Sequence, residues 1–234
     1  GGGGFMVIRT ADGEVTTIDF RETAPAKANR DMFLDENGEV IQGKSWRTSW
    51  ASGVPGSVAG FGMAHEKFGS ISWKKIVRPA IKLAKKGFKL DYLNSCYFNS
   101  DYYKNYLSSD PITKEIFTKD SGFKVGEKFI QKDLGSTLSR IAKKGYKEFY
   151  TGKTAEFIVA CMNRTDGLIT MDDLKNYYPV ERKPITFDYR DYKIHSMPPA
   201  SSGGIAIAGI LNQIENINLS ELDYHSAQHI HLIA

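Results

Sequence analysis

Phe5-Met6-Val7-Ile8-Arg9-Thr10-Ala11-Asp12-Gly13-Glu14-Val15-Thr16-Thr17-Ile18-Asp19-Phe20-Arg21-Glu22-Thr23-Ala24-Pro25 is the stretch from which the fold is read. Two runs rich in β-branched residues, Phe5 to Arg9 and Val15 to Ile18, flank Ala11-Asp12-Gly13-Glu14, and Asp-Gly between such runs predicts a hairpin. Arg21 then leaves the second strand at the mouth of a sheet, where packing does not ask for a charged residue. A guanidinium is a planar fork of donors that meets a carboxylate with two parallel hydrogen bonds, so the position suits an anionic group. On chemistry alone, a surface arginine or a pair with Glu22 is the favoured account of it.

Downstream the periodicity turns helical. Gly56 and Ser57 are start signals for a helix over about 57–68. Ser72 is expected to be an N-cap followed by a turn to Arg78, with Pro79 opening a helix that Gly87 ends. The segment 92–126, which interleaves Tyr102, Tyr103 and Tyr106 with Asn, Ser and Asp, is expected to be irregular helix and loop. Leu134, Leu138 and Ile141 fall at helical spacing before Gly145, and a further helix is expected over 154–162. Thr170 caps a short helix with Asp172 and Asp173 in its first turn, where the helix dipole favours acids, so these carboxylates are expected to be caps rather than a catalytic pair. Pro184 to Tyr189 and Tyr192 to Met197 give a second hairpin with Arg190-Asp191 at its turn, taken as the return to the sheet. His195 alternates along that strand as a structural histidine.

Composition narrows the classes. With 234 residues the chain can bury roughly 70–75% of its unfolded surface, enough for a single core and a single domain. Its 31 basic and 27 acidic side chains leave +4, too small and dispersed for a nucleic-acid stripe. The lysine pairs Lys74-Lys75, Lys85-Lys86 and Lys143-Lys144 fit solvated helix faces and C-termini. Cys96 and Cys161 are far apart and give neither a disulfide framework nor metal-ligand spacing. No apolar run approaches the ~20 residues of a membrane span, and no signal-peptide pattern is visible.

Four segments in order, Gly1-Gly2-Gly3-Gly4-Phe5-Met6, Asp19 to Pro25, Val54-Pro55-Gly56-Ser57-Val58-Ala59-Gly60 and Pro198-Pro199-Ala200-Ser201-Ser202-Gly203-Gly204, carry a resemblance. Together with Pro79-Ala80-Ile81-Lys82-Leu83-Ala84 and Gly87-Phe88 they resemble the large-subunit portion of a γ-glutamyltransferase, or γ-glutamyl transpeptidase, over nearly the whole chain. The resemblance implies an α/β, α+β-layered fold with a mainly helical middle, one side of the αββα sandwich of N-terminal-nucleophile hydrolases. It implies that Arg21 grips the α-carboxylate of a γ-glutamyl substrate such as glutathione, with Glu22 bracing Arg21 or the substrate amine. In that family a precursor cuts itself and exposes a threonine at the start of a small subunit. The threonine hydroxyl attacks while its own α-amine serves as base.

No catalytic residue, metal or cofactor is therefore expected within this chain. Its expected partner is the small-subunit segment with the threonine, and the periplasm or cell exterior is the location the resemblance implies. The four initial glycines suit a closely packed approach to a buried strand. They and an apolar run still continuing at Ala234 are read as truncation at both ends, with residues 222–234 expected as a helix. A related acylase acting on glutaryl or cephalosporin side chains, or an inactive structural fragment, is the alternative.

Two further clusters invite chemistry. His225 and His229 share a helix face at i and i+4 and His231 follows, but the Glu of a His-Glu-x-x-His zinc site is missing, so no metal is assigned. Ser201-Ser202-Gly203-Gly204 resembles an anion-binding helix start without the lysine of a P-loop. It is expected instead to shape a strand-to-helix junction, with Ala200 where the family has a third proline.

Overall fold

The protein is described here by a computed structural model covering residues 2–234. Strands β1 (Phe5–Arg9) and β2 (Val15–Asp19) form the expected antiparallel hairpin, in register from Phe5 opposite Asp19 to Arg9 opposite Val15. Gly13 takes φ +95° at the turn, a conformation that glycine adopts without the Cβ clash other residues suffer. Helix α1 (Lys44–Arg47) and a 3₁₀ turn (Ser49–Ala51) lead to α2 (Ser57–Phe68), which starts after Gly56 as its sequence signals indicate.

Helix α3 (Trp73–Lys86) differs from expectation: it begins directly after Ser72 and carries Pro79 in its interior. An internal proline removes a backbone donor and costs about 3 kcal/mol in an isolated helix. Packing against a second helix offsets this. That partner, met further along the chain, receives the Trp73 indole Nε1–H at the Ile141 carbonyl (3.0 Å) and brings Gly135 against the Lys85 stem.

Strand β3 (Phe88–Lys89) is followed by α4 (Tyr92–Asn99), α5 (Asp101–Leu107) and α6 (Pro111–Phe117). These three short helices occupy the stretch expected to be irregular. Each starts at a side-chain cap: Asp91 accepts from the Asn94 N–H, Ser100 from Tyr103 and Asp110 from Thr113. Strand β4 (Lys128–Phe129) pairs with β3, and the region has its own core of Leu90, Phe123 and Phe129 wrapped by Phe98, Ile116 and Phe117.

Helix α7 (Lys132–Lys144), the partner of α3, ends at Gly145. Next come α8 (Glu148–Thr151), α9 (Lys153–Arg164) and α10 (Met171–Lys175). With α2 and α7 they enclose a larger cluster that includes Val54, Ala59, Ile141, Tyr150, Ala155 and Leu174. Two buried clusters thus stand where one was expected. Glu148 is buried within this region, where its carboxylate accepts from the Thr154 hydroxyl (2.7 Å) and faces Arg140 (3.3 Å).

The return to the sheet is made by β5 (Val180–Arg182), which pairs antiparallel with β2 and makes the order β1-β2-β5. The predicted second hairpin exists as β6 (Ile185–Tyr189) and β7 (Tyr192–Ser196), but it forms a separate two-stranded ladder. Pro184, which cannot donate to a ladder, stands between β5 and β6 and marks the break. β2 is central, and Thr17 and Ile18 on it are fully buried.

Helix α11 (Gly203–Ile214) packs on β6 and β7, and a 3₁₀ turn (Leu219–Glu221) precedes α12 (Ala227–Ile233). The last helix starts five residues later than its apolar run suggested, because Ser226 caps it by accepting the His229 N–H. Among the described residues no helix is long and apolar enough to cross a membrane.

Candidate functional site around Arg21

The β1–β2 ladder runs one pair past its named strands. Gly4 and Phe20 exchange both backbone hydrogen bonds, at 3.2 and 3.0 Å. Gly3 passes directly beneath the next turn of chain: a Cβ there would lie 2.6 Å from the Phe20 carbonyl oxygen and 2.7 Å from the Arg21 Cα. The Gly2 carbonyl accepts from the Gly56 (2.7 Å) and Ser57 (3.1 Å) amides, two of the unpaired donors at the start of α2. The glycine run therefore joins the strand end to a helix N-terminus, which side chains would prevent.

Arg21 is the first residue beyond the ladder, and side chains take over its backbone groups. Its N–H donates to Asp19 Oδ1 (3.1 Å), and its carbonyl accepts from the Tyr177 hydroxyl (2.8 Å). Asp19 turns its other oxygen to Arg182 Nε on β5 (2.9 Å). The guanidinium lies 5.6 Å from the centroid of the Phe5 ring, its Nε is 3.2 Å from Glu22 Oε2, and the side chain is 58% exposed. The pair with Glu22 that chemistry alone suggested is thus present, and it engages one edge of the fork.

The following residues are held just as closely. Thr23 and Val54 exchange backbone hydrogen bonds, the shorter at 2.8 Å, and the Ala26 N–H donates to Asp173 Oδ1 (2.7 Å). Asp173 also completes a capping box with Thr170, so the expectation that Asp172 and Asp173 serve the helix start is met for Asp173 by geometry. Gly53 is threaded so tightly past Glu22 that a Cβ would come within 2.7 Å of the Glu22 Cβ. Glu22 lines a cavity of about 420 Å³ with Ser52, Pro55, Phe149, Ile158 and Met162.

Two tyrosines support the floor. Tyr177 and Tyr150 stack at 5.6 Å with their planes 10° apart, and the Tyr150 hydroxyl accepts from the Ala59 N–H (3.1 Å) while donating to the Pro55 carbonyl (2.8 Å). Burial, and then the Asp19 and Glu22 carboxylates, push the Tyr177 hydroxyl up to about 12; burial also pushes Tyr150 up. Both are therefore neutral donors at ordinary pH.

Three of the four motif segments meet here: residues 2–6, 19–25 and 54–60. The fourth, Pro198 to Gly204, lies at the junction of β7 and α11, where a Cβ on Gly204 would be 2.7 Å from the Met197 carbonyl oxygen, the packing role expected of it. His225 is outside α12 with φ +61°, and its backbone N–H donates to His229 Nδ1 (3.0 Å), so the two rings do not share a helix face. Among the described residues, no three His, Cys, Asp or Glu side chains are disposed to hold a metal ion.

Sequence reading missed Tyr177, Arg182 and the bonding of Asp19. Tyr177 follows α10 in an Asn-Tyr-Tyr-Pro run with no periodic signal, and its partner is 156 positions away. Chemically the site presents a half-open guanidinium and an adjacent carboxylate on a backbone fixed from several sides.

The family model for gamma-glutamyltranspeptidase matches residues 1–234. The glutathione hydrolase proenzyme of Escherichia coli is 45% identical over 240 residues, an alignment covering 100% of this chain and 40% of that protein. The crystal structure of Helicobacter pylori gamma-glutamyltranspeptidase superposes with a TM-score of 0.94 at 40% identity, covering 99% of this chain and 66% of that one. The Pseudomonas nitroreducens gamma-glutamyltranspeptidase complexed with L-DON gives 0.89 at 38% identity over 99% and 68%. The chain spans about 40% of the length of the curated relatives it matches. Matched along its whole length in sequence and nearly all of it in structure, this chain belongs to the gamma-glutamyltranspeptidase family.

Proposed function

We propose that this chain is the substrate-anchoring portion of an enzyme that transfers the γ-glutamyl group of glutathione, or of a related γ-glutamyl compound, to water or an acceptor amine. The observation that carries the reading is Arg21, whose side chain is 58% exposed while its backbone is bonded at both N–H and C=O. In this role Arg21 pairs with the substrate α-carboxylate and Glu22 faces the substrate ammonium or braces the guanidinium. Names of relatives that include the word proenzyme support a partner segment released by processing, outside residues 1–234. The threonine of that segment attacks the γ-carbonyl carbon, its hydroxyl proton passing to its own α-amine and then to the departing amine. Water or an acceptor amine next takes the acyl group from the threonine oxygen. Without that segment the chain is inactive, and the periplasm or cell exterior is its proposed location.

The test uses the full-length protein containing this chain. Arg21→Ala should lower kcat/KM for a γ-glutamyl anilide by about 30-fold or more, mainly through KM, because truncating one side of a desolvated charge pair costs roughly 2–5 kcal/mol. Arg21→Lys should recover only part of this, since an ammonium lacks the fork. An Arg21→Ala enzyme with undiminished kcat/KM sinks the assignment. Preference for a glutaryl over a γ-glutamyl amide would instead mark an acylase.

A further inference from the structure

We propose that Tyr177, acting with Asp19, is the positioning residue of the site: it clamps the Arg21 backbone so that the guanidinium points where the substrate carboxylate arrives. The inference rests on the reading of Arg21 as that anchor. Arg21 stands where the ladder has ended, so neither of its backbone groups has a strand partner. Instead the N–H is held by Asp19 Oδ1 and the carbonyl by the Tyr177 hydroxyl, at 3.1 and 2.8 Å. A hydrogen bond at each end of one residue restrains both of its soft dihedrals. A long side chain magnifies any rotation left there, and a misplacement of about 1 Å in a binding group can cost up to roughly 100-fold.

Each arm of the clamp is itself fixed. Asp19 is pinned by Arg182 Nε (2.9 Å), and its side chain is 9% exposed. Tyr177 has little freedom to swing: its ring stacks on Tyr150, and its hydroxyl sits so close to Gly56 that a Cβ there would fall 2.1 Å from it. Helix α10, just ahead of Tyr177, reaches the other end of the motif through Asp173 and the Ala26 N–H (2.7 Å). One short segment, residues 173–177, thus grips the Arg21–Ala26 stretch at both ends. Because Tyr177 stays protonated, the donor persists throughout the neutral range.

The experiment compares a γ-glutamyl anilide with the same anilide lacking the α-carboxylate, using the full-length protein. Tyr177→Phe removes one oxygen and keeps the ring stack. KM for the carboxylated substrate should rise about 3- to 10-fold, the scale of one hydrogen bond, with kcat little changed. The carboxylate-free substrate should react as in the wild type, and in an Arg21→Ala background Tyr177→Phe should have no further effect. Equal losses on both substrates, or no loss on either, would show that Tyr177 merely supports the fold and would overturn the proposal. If Arg21→Ala abolishes the preference for the carboxylated substrate and Tyr177→Phe leaves that preference undiminished, the clamp fails while the anchor stands. If Arg21→Ala keeps that preference, the anchor fails and the clamp with it. Should Tyr177→Phe not fold, Asp19→Asn, which weakens the other arm, is judged by the same comparison.

Discussion

Gly56→Ala tests whether the site is built by close approach rather than by backbone conformation. Gly56 has φ −107° and ψ −21°, angles open to any residue, so an alanine there is not strained by its own dihedrals. Its Cβ, however, would lie 2.1 Å from the Phe20 carbonyl oxygen, 2.1 Å from the Tyr177 hydroxyl and 2.7 Å from Tyr177 Cζ. Two of these atoms belong to a stiff ring and one to a strand backbone, so relief requires a shift of the α2 start or of Tyr177. Overpacking of this kind costs about 1–3 kcal/mol, and losing the Tyr177–Arg21 bond adds about 1 kcal/mol. Stiffening of the unfolded chain by Gly→Ala returns only about 0.4–1 kcal/mol.

A net loss of about 2–3 kcal/mol should lower Tm by a few °C, read by calorimetry on the full-length protein. If Tyr177 acts as the proposed clamp, KM for a γ-glutamyl substrate should rise alongside, because the displaced ring carries its hydroxyl. The control is Gly38→Ala. Gly38 has φ +82° and nothing within 4 Å of a new Cβ, so that variant meets only the left-handed penalty of about 1–2 kcal/mol and should leave KM alone. A Gly56→Ala protein that melts no lower than wild type refutes the packing argument.

Two further perturbations probe the supports. Tyr150→Phe deprives both the Ala59 N–H and the Pro55 carbonyl of their buried partner; we expect a loss of about 1–3 kcal/mol in urea unfolding with an unchanged m-value, and a change below about 0.5 kcal/mol would contradict it. For Asp173, burial raises the carboxyl, but donors from Thr170 and the Ala26 N–H together outweigh it and hold the group below 3.8. A depressed folded value means that the stabilisation is complete above 3.8 and is lost as pH falls through the folded value. Asp173→Asn should therefore cost about 1 kcal/mol at neutral pH, discounted for partial exposure, and the gap from wild type should close in acid. A gap that persists unchanged in thermal melts well below pH 3.8 would rule out the charge as its source.

What the sequence disclosed divides along a physical line. The β1–β2 hairpin, the α2 start and the Thr170 cap were legible because each is decided within a few residues by alternation, a turn dipeptide or a capping side chain. Pro79 misled for the same reason: its local rule is sound, but it yields to the packing of α3 on α7. Strand β5 escaped notice because Val180, Glu181 and Arg182 are all exposed and too few to show a period. Thr16 and Lys67 both bond Glu181, so polar contacts across the edge hold that strand in part, and hydropathy carries no trace of them. Arg21 was conspicuous as a charge at a strand end, whereas the groups that aim it are ordinary residues whose role exists only in three dimensions.

The contrast between Arg21 and its surroundings bears on how the proposed anchor would bind. Phe20 is 5% exposed and Pro25 is buried, yet the guanidinium between them is largely open. Capturing a ligand with a free arginine entails ordering both backbone and side chain, and the side chain alone accounts for about 0.5–1.5 kcal/mol. Here the backbone share has already been met during folding by Asp19 and Tyr177, while the Phe5 face and Glu22 restrict the side chain. Glu22 also keeps the guanidinium from facing the site as an unpaired charge. In the proposed role, an arriving carboxylate would meet a fork whose one edge is engaged, and would need to displace only water from the other. If Arg21 is the proposed anchor, such pre-ordering converts more of the Coulombic attraction into affinity, a role consistent with side-chain bonding converging on the backbone of one exposed residue.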